Sequence, residues 1–230
     1  MILERKTLLN VEQILADTQH SLPDTLPTNE VAQLLKQFLT MQQLYNAAIR
    51  QISTKFEIFD EEFQILYSRN PIHHIESRLK SPRSIADKLV NRGYNLAVES
   101  AKQNITDIAG IRVICNYIED VYTMADLLLK QDDISIIRIS DYIKEPKTNG
   151  YRSLHIVASV PVALSTLTER VPVEIQLRTI AMDFWASLEH QLRYKSSSTI
   201  HDDLQHQLKD CAESIAEVDK KMQNIYDLLK

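Results

Sequence analysis

The sequence predicts an α+β fold, in which a mixed β-sheet of about five strands is flanked by helices and helical extensions lie at both ends of the chain. Two observations carry this prediction. Short segments rich in isoleucine and valine occupy the middle of the chain and alternate with helical intervals. The terminal segments instead repeat apolar residues at the three- and four-residue spacing of helices. With 230 residues, 44% of them hydrophobic, the chain can form one or two domains with a sizeable core.

A long helical segment is predicted near the N-terminus. No proline or glycine occurs between residues 28 and 70, and apolar residues recur there at helical spacing, so one long helix or two consecutive helices fit. A further helix is predicted after Ser81, because serine caps helices and Pro82 suits the first helical turn. Gly93 is a typical terminator for this helix.

Short segments rich in isoleucine and valine predict four strands in the middle of the chain. They comprise residues 105–115, 134–139, 153–160 and 171–177. Helices are predicted at residues 122–130 and 180–194. Along the last strand the odd-numbered positions are apolar, so Glu174, Gln176 and Arg178 share the opposite face. That face is either an ordinary solvated surface or a display of functional groups.

The C-terminal segment carries apolar residues at alternating spacings of four and three, which is the pattern of a heptad seam. The members of this seam are Leu204, Leu208, Cys211, Ile215, Val218, Met222, Ile225 and Leu229. Two interpretations remain open: an amphipathic helix packed on its own domain, and a seam between subunits.

Composition excludes several classes of protein. Three glycines are too few for a glycine-rich phosphate loop, and two distant cysteines match neither a zinc-ligand spacing nor a disulfide framework, so a reducing cytoplasm is expected. The N-terminus lacks the pattern of a secretory signal, and no apolar run approaches the roughly 18 residues of a membrane span. A net charge of −5 argues against a general nucleic-acid binder. Residues 72–92 are locally basic, with five cations against two acids, so an anionic ligand is expected there.

Two carboxylates are candidate ligands for Mg²⁺. Asp107 lies at the beginning of the predicted strand 105–115, and Glu174 lies on the strand 171–177. Magnesium commonly takes one or two protein carboxylates and fills its other positions with water and phosphate oxygens. A turn-rich stretch that ends at Tyr151 adds further cations, and this tyrosine offers a ring for stacking on a base. Each of these features alone is equally typical of a cap, a packed tyrosine or a solvated surface.

In combination, four blocks of sequence carry a family resemblance. They are RLKSPRSIADKL at 78–89, DIAGIRVIC at 107–115, DYIKEPKTNGYRSLH at 141–155 and VEIQLRTIAMDFWASLEHQLRYK at 173–195. In this order they resemble the small alarmone synthetases, the synthetase-only branch of the RelA/SpoT family. The resemblance implies transfer of the β,γ-pyrophosphate of ATP to the ribose 3′-OH of GTP or GDP, which makes (p)ppGpp for the stringent response. It also implies a nucleotidyltransferase-like catalytic domain at 71–197, after a helical extension at 1–70 and before an oligomerisation helix at 198–230.

The resemblance also implies roles for individual residues. Asp107 and Glu174 would hold Mg²⁺, and Glu174 would also take the proton from the 3′-OH. The residues matching the family's ATP site are Arg78, Lys80, Lys88 and Arg112, with arginines flanking the adenine and lysines meeting the phosphates. The residues matching the GTP or GDP site are Lys147, Tyr151, His155 and Gln176, with the tyrosine stacking on guanine. A cytoplasmic homo-oligomer, a tetramer in this family, is expected.

The sequence departs from the family at its allosteric site. His74, Glu76 and Asp183 stand where the tetrameric subtype that its product activates has phenylalanine, threonine and asparagine. Because acids are unfavourable where phosphates dock, activation by the pentaphosphate product is expected to be weak or absent. The adjacent pair His73 and His74 is not expected to bind zinc, because neighbouring side chains on a helix point about 100° apart.

Two other functions compete with the synthetase. One is a catalytically silent regulator with the same fold that binds a nucleotide or single-stranded RNA, and the other is a nucleotidyltransferase with a different donor or acceptor. Retention of both Asp107 and Glu174 favours an active enzyme, and the first block together with Tyr151 argues against a different substrate pair. Hydrolase activity is not expected, because His20 is the only histidine before residue 72.

Overall fold

A five-stranded mixed sheet lies at the centre of the computed structural model, which describes residues 28–195 and 202–229. The strands are β1 (Ile72–Leu79), β2 (Ala109–Cys115), β3 (Ser135–Asp141), β4 (Leu154–Ala163) and β5 (Thr168–Thr179). Their spatial order is β1-β2-β5-β4-β3. β2 and β5 run parallel, whereas the other three neighbouring pairs are antiparallel. The predicted α+β class and mixed sheet are confirmed.

Six helices are found in the described part of the chain. They are α1 (Thr28–Tyr67), α2 (Pro82–Asn91), α3 (Val98–Asn104), α4 (Ile118–Leu129), α5 (Ile180–Lys195) and α6 (Asp202–Asp227). The N-terminal segment forms one continuous helix, so the alternative of two consecutive helices is wrong. α3 was not predicted, because it has seven residues and its N-cap, Ala97, makes no side-chain hydrogen bond. Within residues 28–195 and 202–229, no helix is both long and apolar enough to cross a membrane.

The core lies between the long helix α1 and one face of the sheet. Side chains of α1 such as Ile52 and Phe56 are fully buried, as are Val173 and Ile175 on the apolar face of β5. Because α1 covers this apolar face, the functional groups lie on the opposite, polar face of the sheet.

The sequence pattern did not predict the strand β1. Its apolar residues Ile72, Ile75 and Leu79 are three and four positions apart, which is a helical spacing, and its pairing with β2 is irregular between Ile72 and His74. The helical placement of His73 and His74 is therefore wrong. Their rings are in contact, and the two Nδ1 atoms share a hydrogen bond of 2.7 Å.

The strand predicted at 105–115 begins too early. β2 starts at Ala109, and Asp107 lies two residues before it, in the loop that follows α3. Ile105 and Ile108 in this loop are 0% and 2% exposed, so core packing rather than strand pairing explains their apolar character. Asp107 therefore lies at the entrance to β2, not on a strand.

The C-terminal helix α6 packs on its own domain through a stripe that includes Ala212 and Asp219, which are 5% and 6% exposed. This stripe is displaced by one position from most of the predicted heptad seam. Val218, Met222 and Ile225 of the seam are about half exposed (55%, 47% and 52%). Leu208 and Ile215 of the seam pack with Ala212 against the domain, so only part of the seam forms an apolar stripe that faces away from it.

Gly150 lies where α6 approaches the loop before β4. Its φ is +87°, and a Cβ atom there would lie 2.5 Å from Cβ of Ala212. We expect Gly150→Ala to lower the free energy of unfolding by about 2–5 kcal/mol, from left-handed backbone strain and overpacking together. Gly93→Ala is the matched control, because Gly93 has φ +73° with no atom within 4 Å of the added Cβ, and it should cost about 1–2 kcal/mol. Equal losses in urea titrations of the two variants would contradict this account.

Candidate active site

A cleft on the polar face of the sheet brings together the two carboxylates that the sequence singled out. It is lined by Glu76, Ser77, Arg78, Asp107, Gly110, Ile111, Arg112, Glu174 and Gln176. The sheet topology explains why Asp107 and Glu174 lie in the same cleft. β2 and β5 are parallel neighbours, with Gly110 opposite Glu174, so the loop that enters β2 places Asp107 beside the middle of β5.

Asp107 is held by two ammonium groups. Lys80, just after β1, places Nζ 3.0 Å from Oδ2, and Lys88, in the last turn of α2, places Nζ 2.7 Å from Oδ1. The carboxylate is 18% exposed. Burial alone would raise the pKa of Asp107, but hydrogen bonds and charge from the two lysines hold this pKa below its ordinary value. Asp107 is therefore an anion at neutral pH.

Glu174 is half-buried on β5 and receives polar groups on both oxygens. The Gln176 amide donates to Oε2 at 3.0 Å, and Nδ1 of His155 lies 3.8 Å from Oε1. The adjacent His155 is the largest cause of the lowered pKa of Glu174. Burial acts in the opposite direction, and Gln176 lowers the pKa by a smaller amount. Glu174 is consequently ionised and able to accept a proton.

Two arginines stand at the edge of this cleft. Arg78 of β1 pairs in register with Gly110, which in turn pairs with Glu174, so the missing side chain at Gly110 leaves space between the arginine and the carboxylate. A Cβ atom at Gly110 would lie 3.6 Å from Cγ of Arg78. On the next row of the sheet, Nη1 of Arg112 lies 3.4 Å from Oε2 of Glu76. The cleft thus offers guanidinium groups next to two anions.

Lys147, Tyr151, His155 and Gln176, predicted for the acceptor nucleotide, form a cluster beside the cleft. Tyr151 Oη and His155 Nε2 are 2.8 Å apart, and Nζ of Lys147 lies 4.9 Å from the centroid of the Tyr151 ring. A tight turn shapes the loop, with the Gly150 amide donating to the Lys147 carbonyl at 2.8 Å. His155 and Gln176 are register partners on β4 and β5, so this cluster adjoins Glu174 directly.

Arg178 is the residue of the site whose role the sequence did not reveal. It is 4% exposed and donates hydrogen bonds to Tyr151, Gln176 and Asp183. Asp183 is therefore not an isolated acid, because its Oδ1 lies 3.0 Å from Nη1 of Arg178. The alternation of residues along β5 did predict that Arg178 lies on the same face as Glu174, but it did not indicate the hydrogen bonds of Arg178.

Comparisons with known proteins agree with this arrangement. Residues 77–199 match the family model described as a region found in RelA and SpoT proteins. GTP pyrophosphokinase YwaC of Bacillus subtilis (strain 168) is 43% identical over 182 residues, which cover 79% of this chain and 87% of that protein. The crystal structure of small alarmone synthetase 2 from Bacillus subtilis matches with a TM-score of 0.74 and 42% identity, over 80% of this chain and 96% of that one. Small alarmone synthetase 1 from Bacillus subtilis, bound to its product pppGpp, gives a TM-score of 0.77 at 29% identity, covering 85% and 99% of the two chains.

Proposed function

The chain belongs to the RelA/SpoT family, and from this premise we propose that it is a GTP pyrophosphokinase of the small alarmone synthetase type. The reaction transfers the β,γ-pyrophosphate of ATP to the ribose 3′-OH of GTP or GDP. The observation that carries the proposal is the cleft in which ionised Asp107 and Glu174 meet, flanked by arginines on one side and by the Tyr151 cluster on the other. The resemblance inferred from the four sequence blocks is confirmed.

The donor set of the cleft fits Mg²⁺. Within the described residues, no group of three or more histidine, cysteine or acidic side chains could hold a metal by itself. Asp107 and Glu174 supply two carboxylates, which matches a cation that shares its coordination between the protein and substrate phosphates. When bound there, Mg²⁺ would neutralise the charge that develops on the phosphate oxygens during transfer.

Glu174 carries the chemical step in this proposal. The ribose 3′-oxygen attacks the β-phosphorus of ATP, the bond between that phosphorus and the oxygen bridging to the α-phosphate breaks, and AMP leaves. The 3′-OH proton passes to the Glu174 carboxylate, whose lowered pKa keeps it ionised before the reaction. The protein otherwise contributes positioning and charge, as in other phosphoryl transfers.

The remaining residues divide between the two nucleotides. Arg78 and Arg112 are proposed to flank the adenine of ATP, and Lys80 and Lys88 to serve its phosphates while they hold Asp107 in place. On the acceptor side, the Tyr151 ring is proposed to stack on guanine. Lys147 and His155 lie against this ring, and Gln176 is the register partner of His155, which supports roles at the ribose and phosphates.

One assay separates the enzyme from a silent regulator of the same fold. Purified protein with ATP, Mg²⁺ and either GTP or GDP should form a more highly phosphorylated guanine nucleotide, which anion-exchange chromatography resolves. Omission of ATP or Mg²⁺ should abolish the product. Binding of both nucleotides without any product would favour the regulator.

We also propose a cytoplasmic homotetramer, in which the exposed stripe of α6 contributes to subunit contacts. Val218 and Met222 lie on this stripe and are 55% and 47% exposed, although both are apolar. Placing charge on both, as in Val218→Glu with Met222→Glu, should lower the sedimentation coefficient toward that of a smaller species. Lys221→Glu is the control, because Lys221 is exposed on the same helix outside the seam. An unchanged sedimentation profile of the double variant would contradict a role for this stripe in assembly.

Activation by the pentaphosphate product is predicted to be weak or absent. By the family resemblance, Glu76 stands at the place where the activated subtype has threonine. The side chains of His74 and Glu76 are 40% and 52% exposed and lie 3.7 Å apart, so this acid faces solvent. Initial rates measured with and without added pentaphosphate should agree within about twofold, since an acid repels phosphates. A clear stimulation would contradict the prediction.

A further inference from the structure

Arg178 is a buried cation that donates hydrogen bonds to two residues of the site and to one residue of α5. Its Nη2 donates to Tyr151 Oη at 2.6 Å and to Gln176 Oε1 at 2.7 Å, and its Nη1 donates to Asp183 Oδ1 at 3.0 Å. Its guanidinium carbon lies 5.2 Å from the centroid of the Tyr151 ring. A guanidinium only donates hydrogen bonds, so each of these partners must present an acceptor to Arg178.

The first consequence concerns the Gln176 amide. Because Oε1 of Gln176 faces Arg178, its Nε2 faces the opposite way, and it donates to Oε2 of Glu174 at 3.0 Å. The reversed amide would direct its NH₂ group at the arginine and its oxygen at the carboxylate, which are two repulsive contacts. Arg178 thus fixes the amide orientation that places an N–H donor on Glu174.

The second consequence concerns the tautomer of His155. Tyr151 Oη accepts a hydrogen bond from Arg178 and carries one proton of its own, and its other polar neighbour among the described residues is His155 Nε2 at 2.8 Å. Donation of this proton to Nε2 is the arrangement that uses the hydroxyl as both donor and acceptor, and it requires Nε2 to be unprotonated. The ring proton of a neutral His155 then lies on Nδ1, the nitrogen that is 3.8 Å from Oε1 of Glu174.

We propose that Arg178 is a positioning residue that directs two chains of polar contacts onto Glu174. One chain is hydrogen-bonded throughout and runs through Gln176 to Oε2. The other runs by hydrogen bonds through Tyr151 to His155, whose Nδ1 lies 3.8 Å from Oε1. Asp183 anchors the guanidinium from α5. Tyr151 thereby has two functions, because its ring serves the acceptor nucleotide while its hydroxyl sets the tautomer beside the general base. The inference rests on the proposed function for its catalytic meaning, but its geometry is independent of any substrate.

The first test is spectroscopic and needs no activity. Nitrogen chemical shifts of the ¹⁵N-labelled imidazole rings distinguish the two neutral tautomers, and the His155 signals are assigned by their loss in His155→Gln. We expect the wild-type protein at pH 8 to show His155 protonated on Nδ1. In Tyr151→Phe, which keeps the ring and removes the hydroxyl, Nε2 should gain a proton in a substantial fraction of molecules. A wild-type tautomer protonated on Nε2 would overturn the proposal.

The second test is kinetic. Lysine at position 178 keeps a charge for Asp183 but cannot reach three partners, so Arg178→Lys should lower kcat by about 10–100-fold, which is typical of losing a group that orients a metal ligand. Tyr151→Phe should lower kcat similarly, and the KM for GTP should stay within about threefold because the stacking ring remains. Both variants should keep the wild-type KM for ATP. Wild-type kcat in both variants would overturn the proposal.

Arg170→Lys is the matched control for these variants. Arg170 lies eight positions earlier on the same strand β5 and makes its own set of hydrogen bonds to Ser135, Ser159 and the Asp133 carbonyl, far along the strand from Glu174. It should keep wild-type kcat. If the wild-type protein made no pentaphosphate at all, the proposed function would fail, yet the tautomer measurement would still decide the geometric inference.

Discussion

Replacement of Glu174 by glutamine is expected to lower the rate of pentaphosphate synthesis by roughly 10³–10⁴-fold, because the proposed general base and one proposed carboxylate ligand of the metal are lost together. Glutamine has the shape of glutamate, so the strand pairing of β5 should persist. The melting temperature and the circular dichroism spectrum should therefore stay close to those of the wild-type protein. Initial rates with ATP, Mg²⁺ and GTP measure the effect.

Glu169→Gln provides the control for this change. Glu169 lies five positions earlier on β5, and its carboxylate pairs with Lys102 at 3.3 Å, away from the cleft. This variant makes the same chemical exchange on the same strand and should keep wild-type turnover. Near-normal turnover of Glu174→Gln would show that the proton of the 3′-OH goes elsewhere.

Asp107→Asn is expected to reduce synthesis by at least about 100-fold, since it removes the other proposed ligand of the metal. It also has a consequence for stability, because Lys80 and Lys88 lose their shared anion. Asp133→Asn is the control: Asp133 also pairs with a lysine, Lys55, at 3.0 Å, but its side chain is 48% exposed and lies outside the cleft. Turnover of Asp107→Asn equal to that of the control would contradict the assignment.

The stability difference between wild type and Asp107→Asn should depend on pH in a defined direction. The pKa of Asp107 is lower in the folded protein than in the unfolded chain, so its ionised form favours folding. This contribution is fully present above the unfolded pKa of about 3.9 and is lost as pH falls through the folded pKa. In urea titrations the wild type should exceed the variant in stability at pH 7, and the gap should narrow below about pH 4. A gap that is constant over this range would contradict the two ion pairs.

Much of the candidate cleft could be predicted from the sequence, because several of its polar side chains lie on a regular strand. Strict alternation along β5 separates the apolar face from Glu174, Gln176 and Arg178, and a strand keeps such residues on one side. The four sequence blocks then supplied the partner, Asp107, although a buried loop and not a strand carries it.

The remaining features depend on contacts between distant parts of the chain. β1 repeats its apolar residues at helical spacing, and its strand conformation comes from pairing with β2 rather than from local preference. Arg178 meets Tyr151 across 27 positions, and only the pairing of β4 with β5 brings them together. Periodicity likewise finds an apolar stripe on α6, but it cannot tell which stripe faces the domain.

The central claim is that this protein moves a pyrophosphoryl group from ATP to the 3′-oxygen of a guanine nucleotide, and the products of one reaction test it most directly. Wild-type protein with ATP, Mg²⁺ and GTP should release one AMP for each pentaphosphate formed, and ³¹P NMR should show two new phosphorus atoms attached at the ribose 3′ position. Formation of ADP in place of AMP, or phosphate added at another position, would contradict the account.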